Sequence, residues 1–169
     1  MENQKSLRHL LKELTVFNMG LVVHKYGGSS LANADKVNNV AKRIAQSYKS
    51  GSQVVAVVSA MGKTTDDLIN LANSVNLEPD PRELDLLMST GEIVSCSLVA
   101  MAVSALGIPS IALTGEQAGI RTDKTHTKAR INKIVPERIN KELSEGKIVI
   151  VAGFQGVNDD YEITTLGRG

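Results

Sequence analysis

Three short segments combine a lysine, small hydroxyl residues and glycines in the way anion chemistry requires: Lys25-Tyr26-Gly27-Gly28-Ser29-Ser30, Ser59-Ala60-Met61-Gly62-Lys63-Thr64-Thr65-Asp66 and Gly153-Phe154-Gln155-Gly156. Glycines let backbone N–H groups approach an anion, a following helix N-terminus adds a favourable dipole, and a lysine supplies the full charge a polyphosphate needs. The first segment therefore reads as a phosphate cradle. It is not a P-loop, because the lysine precedes the glycines, and it lacks the G-x-G-x-x-G dinucleotide fingerprint. Taken alone, Gly-Gly after a strand is also a common turn.

The elements that must position these segments alternate. Leu21 to Tyr26 reads as a buried strand, Asn33 caps a helix whose apolar positions run Val37, Val40, Ala41, Ile44, Ala45 and Tyr48, and Gln53 to Val58 is an apolar central strand. A second helix is expected over Thr65 to Val75, with Leu68, Leu71, Ala72 and Val75 inward. A longer one is expected from Arg82 to Leu106, stopped by Gly107-Ile108-Pro109. Ser110 to Leu113 is a strand candidate, and Thr114 to Asp123 reads as an irregular excursion with one short strand. Pro136 to Glu145 is a helix and Lys147 to Ala152 a buried strand. This alternation predicts an α/β fold with a mostly parallel sheet, and all three glycine-bearing loops fall at carboxyl ends of strands, where such sheets gather their sites.

Composition bounds the function. The 169 residues suffice for one core, 42% apolar and 22% charged residues exclude a disordered chain, and 3% aromatics leave the packing to aliphatic side chains. A formal net charge of +1 provides no global field for nucleic acid or an anionic membrane, so any anion must be held locally. The single Cys96 excludes an internal disulfide, and no stretch reads as a transmembrane span or secretory signal, so a cytoplasmic location is expected. Residues 1–18, with Leu7, Leu10, Leu11 and Leu14 at helical spacing, read as an extension outside the fold, which is expected to begin at Met19. Cys96, His24, His126 and the methionines Met61, Met88 and Met101 read as packing or polar surface. No metal-ligand spacing is present, and Lys124, Lys128, Arg130 and Lys133 read as a solvated face.

Four motifs occur in a fixed order: Lys25-Tyr26-Gly27-Gly28-Ser29-Ser30, Val57-Val58-Ser59-Ala60-Met61-Gly62, Ser89-Thr90-Gly91-Glu92 and Thr165-Leu166-Gly167-Arg168-Gly169. With Thr114-Gly115-Glu116-Gln117-Ala118-Gly119-Ile120 and Gly153-Phe154-Gln155-Gly156 between them, the chain resembles the aspartate kinases from about Leu21 to its last residue. Tyr26 and Ser29 replace the Phe and Thr of the commonest version. The resemblance implies the three-layer α/β/α sandwich of the amino-acid kinase fold and transfer of the γ-phosphoryl group of ATP, with Mg²⁺, to the side-chain carboxylate of L-aspartate. It implies Lys25 as the catalytic cation, with Tyr26, Gly27, Gly28, Ser30 and Ser59 also on the ATP phosphates. Ser59, Thr64, Thr65, Glu92 and Arg168 are implied on the acceptor, Glu92 taking its α-ammonium and Arg168 its α-carboxylate. The reaction suits these residues, since an ionised carboxylate needs no general base and phosphoryl transfer asks mainly for alignment and charge neutralisation.

In the resembled family the last motif continues with Gly-Ser-Asp and is followed by the nucleoside-binding part and by ACT domains. Residues 19–169 are therefore expected to form the N-terminal part of the kinase domain, inactive by itself and homo-oligomeric when full length. The rival readings are another amino-acid kinase superfamily member, and a non-catalytic module that binds a partner chain or aspartate without turnover.

Overall fold

The computed structural model describes residues 20–167. The expected helix around Leu7 to Leu14, the Met19 start and Arg168 lie outside the described residues. Within them, four strands form a parallel sheet in the order β1-β2-β6-β3. These are β1 (Leu21–Tyr26), β2 (Gln53–Val58), β3 (Ser110–Leu113) and β6 (Ile148–Ala152). The helices between them are α1 (Ala34–Lys49), α2 (Thr64–Val75), α3 (Pro81–Ser104) and α4 (Glu137–Ser144).

Alternation along the central strands builds the layers. Val54, Ala56 and Val58 of β2 and Ile148, Ile150 and Ala152 of β6 pack with α1 and α3, while Val55, Val149 and Val151 pack on the opposite face with Leu143 of α4. The arrangement is the three-layer α/β/α sandwich expected. α1 starts where Asn33 Oδ1 accepts the Lys36 N–H at 3.0 Å, and it buries Val37, Val40, Ala41, Ile44 and Ala45. Each fully buried large aliphatic side chain there contributes about 1.5–3 kcal/mol.

Three expectations need correction. β1 is an outer strand of the sheet, and Leu21 and Val23 are 54% and 62% exposed, because a strand paired on one side only lacks the cover a central strand receives. α2 forms at the expected place, but Leu71 and Val75 stay exposed and none of its residues is fully buried, since the helix lies against α3 along a narrow strip. α3 is, by length and composition, apolar enough to cross a membrane. It nevertheless places Asp85, Ser89, Glu92 and Ser95 inside the protein against both sheets, as a core helix does.

A second sheet was not expected beyond the one short strand placed within Thr114 to Asp123. Its strands β4 (Ile120–Thr122), β5 (Ile131–Ile134), β7 (Gln155–Val157) and β8 (Ile163–Thr165) run in the order β5-β4-β7-β8, with antiparallel β4/β5 and β7/β8 pairs around one parallel contact. Gly153-Phe154-Gln155-Gly156 is thus a loop only at its first two residues.

Candidate active site

The loops after β1, β2 and β6 converge on one cleft of about 570 Å³, walled by Lys25, Gly28, Ser59, Gly62, Lys63, Thr65, Asp66, Glu92, Gly153 and Phe154, together with Leu166 and Gly167. Parallel pairing makes this convergence unavoidable: Tyr26 is level with Val58, and Val58 with Ala152, so the chain leaves all three strands at the same edge.

Backbone contacts tie the first two loops together. The Ser59 N–H donates to the Tyr26 carbonyl at 3.0 Å and the Gly62 N–H to the Gly28 carbonyl at 3.0 Å. Gly28 has no room for a side chain, because a Cβ there would lie 2.7 Å from the Ala60 carbonyl oxygen. Gly27, by contrast, has an ordinary extended φ of −80° and nothing within 4 Å of a built Cβ. The segment after the glycines is a 3₁₀ turn, Gly28–Leu31, and α1 begins only at Ala34. The helix N-terminus at the cleft is that of α2, whose first turn carries Thr65 and Asp66 on the cleft wall behind Lys63.

Glu92 forms the floor. Its side chain reaches from the middle of α3 to the second loop, where Oε1 accepts the Ala60 N–H at 3.1 Å. Oε2 has no hydrogen-bond partner although the residue is only 2% exposed. Burial pushes the carboxyl up from 4.5 to about 7, against the lowering effect of the Ala60 N–H. A carboxylate oxygen sunk into a cleft wall without a partner is costly, and an incoming cation would relieve that cost. Beside it, the Ser95 hydroxyl donates to the Ser59 carbonyl at 2.7 Å and fixes the second loop to α3.

Of the residues singled out from sequence, Lys25, Gly28, Ser59, Thr65 and Glu92 stand together on the cleft wall, and Gly27, Tyr26, Ser30 and Thr64 do not line it. Tyr26 turns its ring inward, where its hydroxyl meets His24 Nδ1 at 2.8 Å, and burial raises its pKa. The Thr64 hydroxyl donates to the Met61 carbonyl at 2.7 Å. Lys63, Asp66 and Phe154 were not singled out. All three sit in quoted motifs, and for the first two only the helical turn between them reveals that both line the cleft. Phe154 adopts a left-handed φ of +63°, which periodicity cannot signal. Cys96 is buried as expected, its thiol pushed up to about 11 by desolvation. Among the described residues, no group of three or more His, Cys, Asp and Glu side chains is placed to hold a metal ion.

Residues 20–169 match the model of the amino acid kinase family. An aspartokinase of Bacillus sp. (strain MGA3) is 52% identical over 151 residues, which cover 89% of this chain and 37% of that protein. The crystal structure of aspartate kinase from Synechocystis superposes with a TM-score of 0.74 at 41% identity, covering 89% of this chain and 24% of that one. The crystal structure of E. coli aspartokinase III in complex with aspartate and ADP gives a TM-score of 0.78 at 21% identity, covering 89% and 44% of the two chains, a likeness of fold. The chain spans about a third of the length of the curated relatives it matches.

Proposed function

The chain belongs to the amino acid kinase family, and from that premise we propose that it forms the acceptor and phosphate side of an ATP-dependent kinase acting on the side-chain carboxylate of L-aspartate. The observation that carries this reading is the orphaned, buried Oε2 of Glu92, placed in the same cleft as Lys25 and the Gly28 loop. An anionic partner fits the lysine end and a cationic one fits the glutamate end, so the cleft suits an amino acid lying with its ammonium on Glu92 and its reacting carboxylate towards the phosphates. The aspartokinase relatives and the E. coli structure with aspartate and ADP support the same assignment of ligands.

In this mechanism Lys25 neutralises charge that develops on the transferring phosphoryl group, and backbone amides of the Gly27-Gly28 loop approach the phosphate oxygens. Ser59 and Thr65 donate neutral hydrogen bonds to the acceptor, with Thr64 behind them holding the loop. Arg168, next in sequence to the Gly167 wall, takes the acceptor's α-carboxylate as a planar fork. Tyr26 and Ser30 belong to the phosphate loop through their backbone. Mg²⁺ enters as part of the nucleotide complex and adds charge neutralisation at the phosphates. The acceptor carboxylate arrives ionised, so the protein aligns and neutralises and does not abstract a proton.

The protein works in the cytoplasm as a homo-oligomer, in the first step of aspartate-family amino-acid biosynthesis. Residues 19–169 form the N-terminal part of the kinase domain, and the 169 residues by themselves give no turnover, because transfer needs both ligands aligned and the cleft-wall residues account for the acceptor and the phosphates. Incubation with ATP, Mg²⁺, L-aspartate and hydroxylamine tests the reading, since aspartyl phosphate is trapped as its hydroxamate. Hydroxamate is expected from the protein as its gene encodes it and not from residues 1–169 alone. Hydroxamate with glutamate but not aspartate would overturn the choice of acceptor.

A further inference from the structure

Asp85 stands seven residues before Glu92 on the inward face of α3 and is fully buried. Its carboxylate contacts none of the catalytic loops in a hydrogen bond. It is saturated instead from β8 and from the connection between β4 and β5: the Thr127 N–H donates to Oδ2 at 2.9 Å and Oδ1 at 3.1 Å, His126 Nδ1 lies 3.0 Å from Oδ2, and the Thr165 hydroxyl donates to Oδ1. Thr127 is held at a φ of +63°, a left-handed conformation that a β-branched residue adopts only under constraint. One turn further along α3, the Ser89 carbonyl accepts the Gln155 amide at 2.9 Å.

These contacts pin β7 and β8 to α3, and β8 runs directly into the cleft. Thr165 is followed by Leu166 and Gly167, which line the cleft, and Leu166 is locked by its N–H to the Phe154 carbonyl at 2.8 Å. The phosphate end of the cleft is built on the first sheet and has no part in this network. The two ends of the cleft are thus positioned by different devices.

We infer that Asp85 is a positioning residue for the acceptor: its carboxylate sets the separation between Glu92 and the Leu166–Gly167 wall and leaves the phosphate loop untouched. The inference rests on the reading of the cleft as an amino-acid acceptor site beside a phosphate site. A generally destabilising residue would weaken both ligands, whereas this geometry demands a split between them.

The test uses Asp85→Asn, which keeps the shape but presents an amide N–H₂ where an acceptor is required, and Thr165→Val, which deletes one donor and keeps the packing. Both are measured in the protein as its gene encodes it, by aspartate KM, ATP KM and circular dichroism. Asp85→Asn is expected to raise the aspartate KM on the order of tenfold with ATP KM little changed, the scale of a lost charge-assisted hydrogen bond at a misplaced wall. Thr165→Val should shift it in the same direction by less. If Asp85→Asn does not fold, Thr165→Val decides alone. An unchanged aspartate KM in the folded variants, or equal rises in both KM values, overturns the inference. Absence of aspartate turnover in the unaltered protein overturns the acceptor reading, and the inference with it.

Discussion

Glu92 on α3 and Ala60 in the loop after β2 are joined by a hydrogen bond of 3.1 Å, from the Ala60 N–H to one carboxylate oxygen. The bond holds one oxygen of a residue that lines the cleft, and leaves the second oxygen buried without a hydrogen-bond partner. A single residue thereby fastens the loop after β2 and keeps an unpartnered carboxylate oxygen at the cleft wall.

Separating those two roles gives the first prediction. In Glu92→Gln the amide oxygen still accepts from Ala60, while the charge is lost. Aspartate affinity should fall by about 2–4 kcal/mol, the scale of leaving a buried ligand charge without its partner, with ATP affinity much less changed. Isothermal titration of each ligand checks this, and equal losses for both would point to a disrupted fold.

The raised carboxyl of Glu92 makes stability depend on pH in an unusual direction. Its value is 4.5 ordinarily and about 7 in the fold, so between those values the folded state binds more proton than the unfolded one. The group's contribution is full below pH 4.5, is lost as pH rises towards 7, and is absent above. The shift corresponds to roughly 3 kcal/mol. Chemical denaturation at pH 5 and pH 8 should show the unaltered protein losing stability relative to Glu92→Gln across that interval. A parallel pH dependence in both proteins would remove Glu92 as its source.

The same group links acceptor binding to proton release. Near pH 7 about half of the Glu92 carboxyls are protonated when empty, by the Henderson relation at a pKa of about 7. An ammonium ion requires the ionised form, so binding should release close to half a proton at that pH and almost none at pH 9. Calorimetry in buffers of different ionisation enthalpy measures the number directly.

Lys25 is expected to matter for rate and little for folding, since its side chain is exposed at the cleft. Lys25→Ala should lower kcat on the order of 10²–10³, the effect of removing one preorganised stabilising group. A thermal melt of the variant should match the unaltered protein, and near-normal turnover would strip Lys25 of its role.

Gly27 and Gly28 should respond differently to the same substitution. Gly28→Ala drives a Cβ to 2.7 Å from the Ala60 carbonyl oxygen, so the loops after β1 and β2 must part. A destabilisation of about 1–3 kcal/mol is expected, as for other overpacked sites. Gly27→Ala meets nothing within 4 Å and should leave the melting temperature unchanged. Weakened ATP binding in stable Gly27→Ala would show that the space above Gly27 belongs to the nucleotide phosphates.

Much of the first sheet was legible because its strands and helices are long enough to show their period. Val37, Val40, Ala41, Ile44 and Ala45 announce the buried face of α1, and Gln53 to Val58 announces a central strand. The second sheet was legible only as one short strand within Thr114 to Asp123, because β4, β7 and β8 have three residues each, less than two full repeats of the strand period. β5 is exposed along its whole length and carries no inward face to read. Lys25, Gly28, Ser59 and Glu92 were legible from motif and position, whereas the partnership of Asp85 with Thr127 and Thr165 joins residues 42 and 80 positions apart and leaves no trace in either neighbourhood.

The spacing of Asp85, Ser89 and Glu92 along one stripe of α3 restricts how such a chain can change length. A residue inserted or removed between Asp85 and Glu92 turns everything beyond it by about 100° around the helix axis. Glu92 would then leave the cleft while Asp85 remained under β8, or the reverse. Only a change of whole turns restores the angle, and it would still displace one anchor from the other by about 5.4 Å along the axis. Indels should therefore be tolerated in the Asn76 to Asp80 connection or around Asp159, where loops absorb them, and should be absent between Asp85 and Glu92 in any working descendant of the chain.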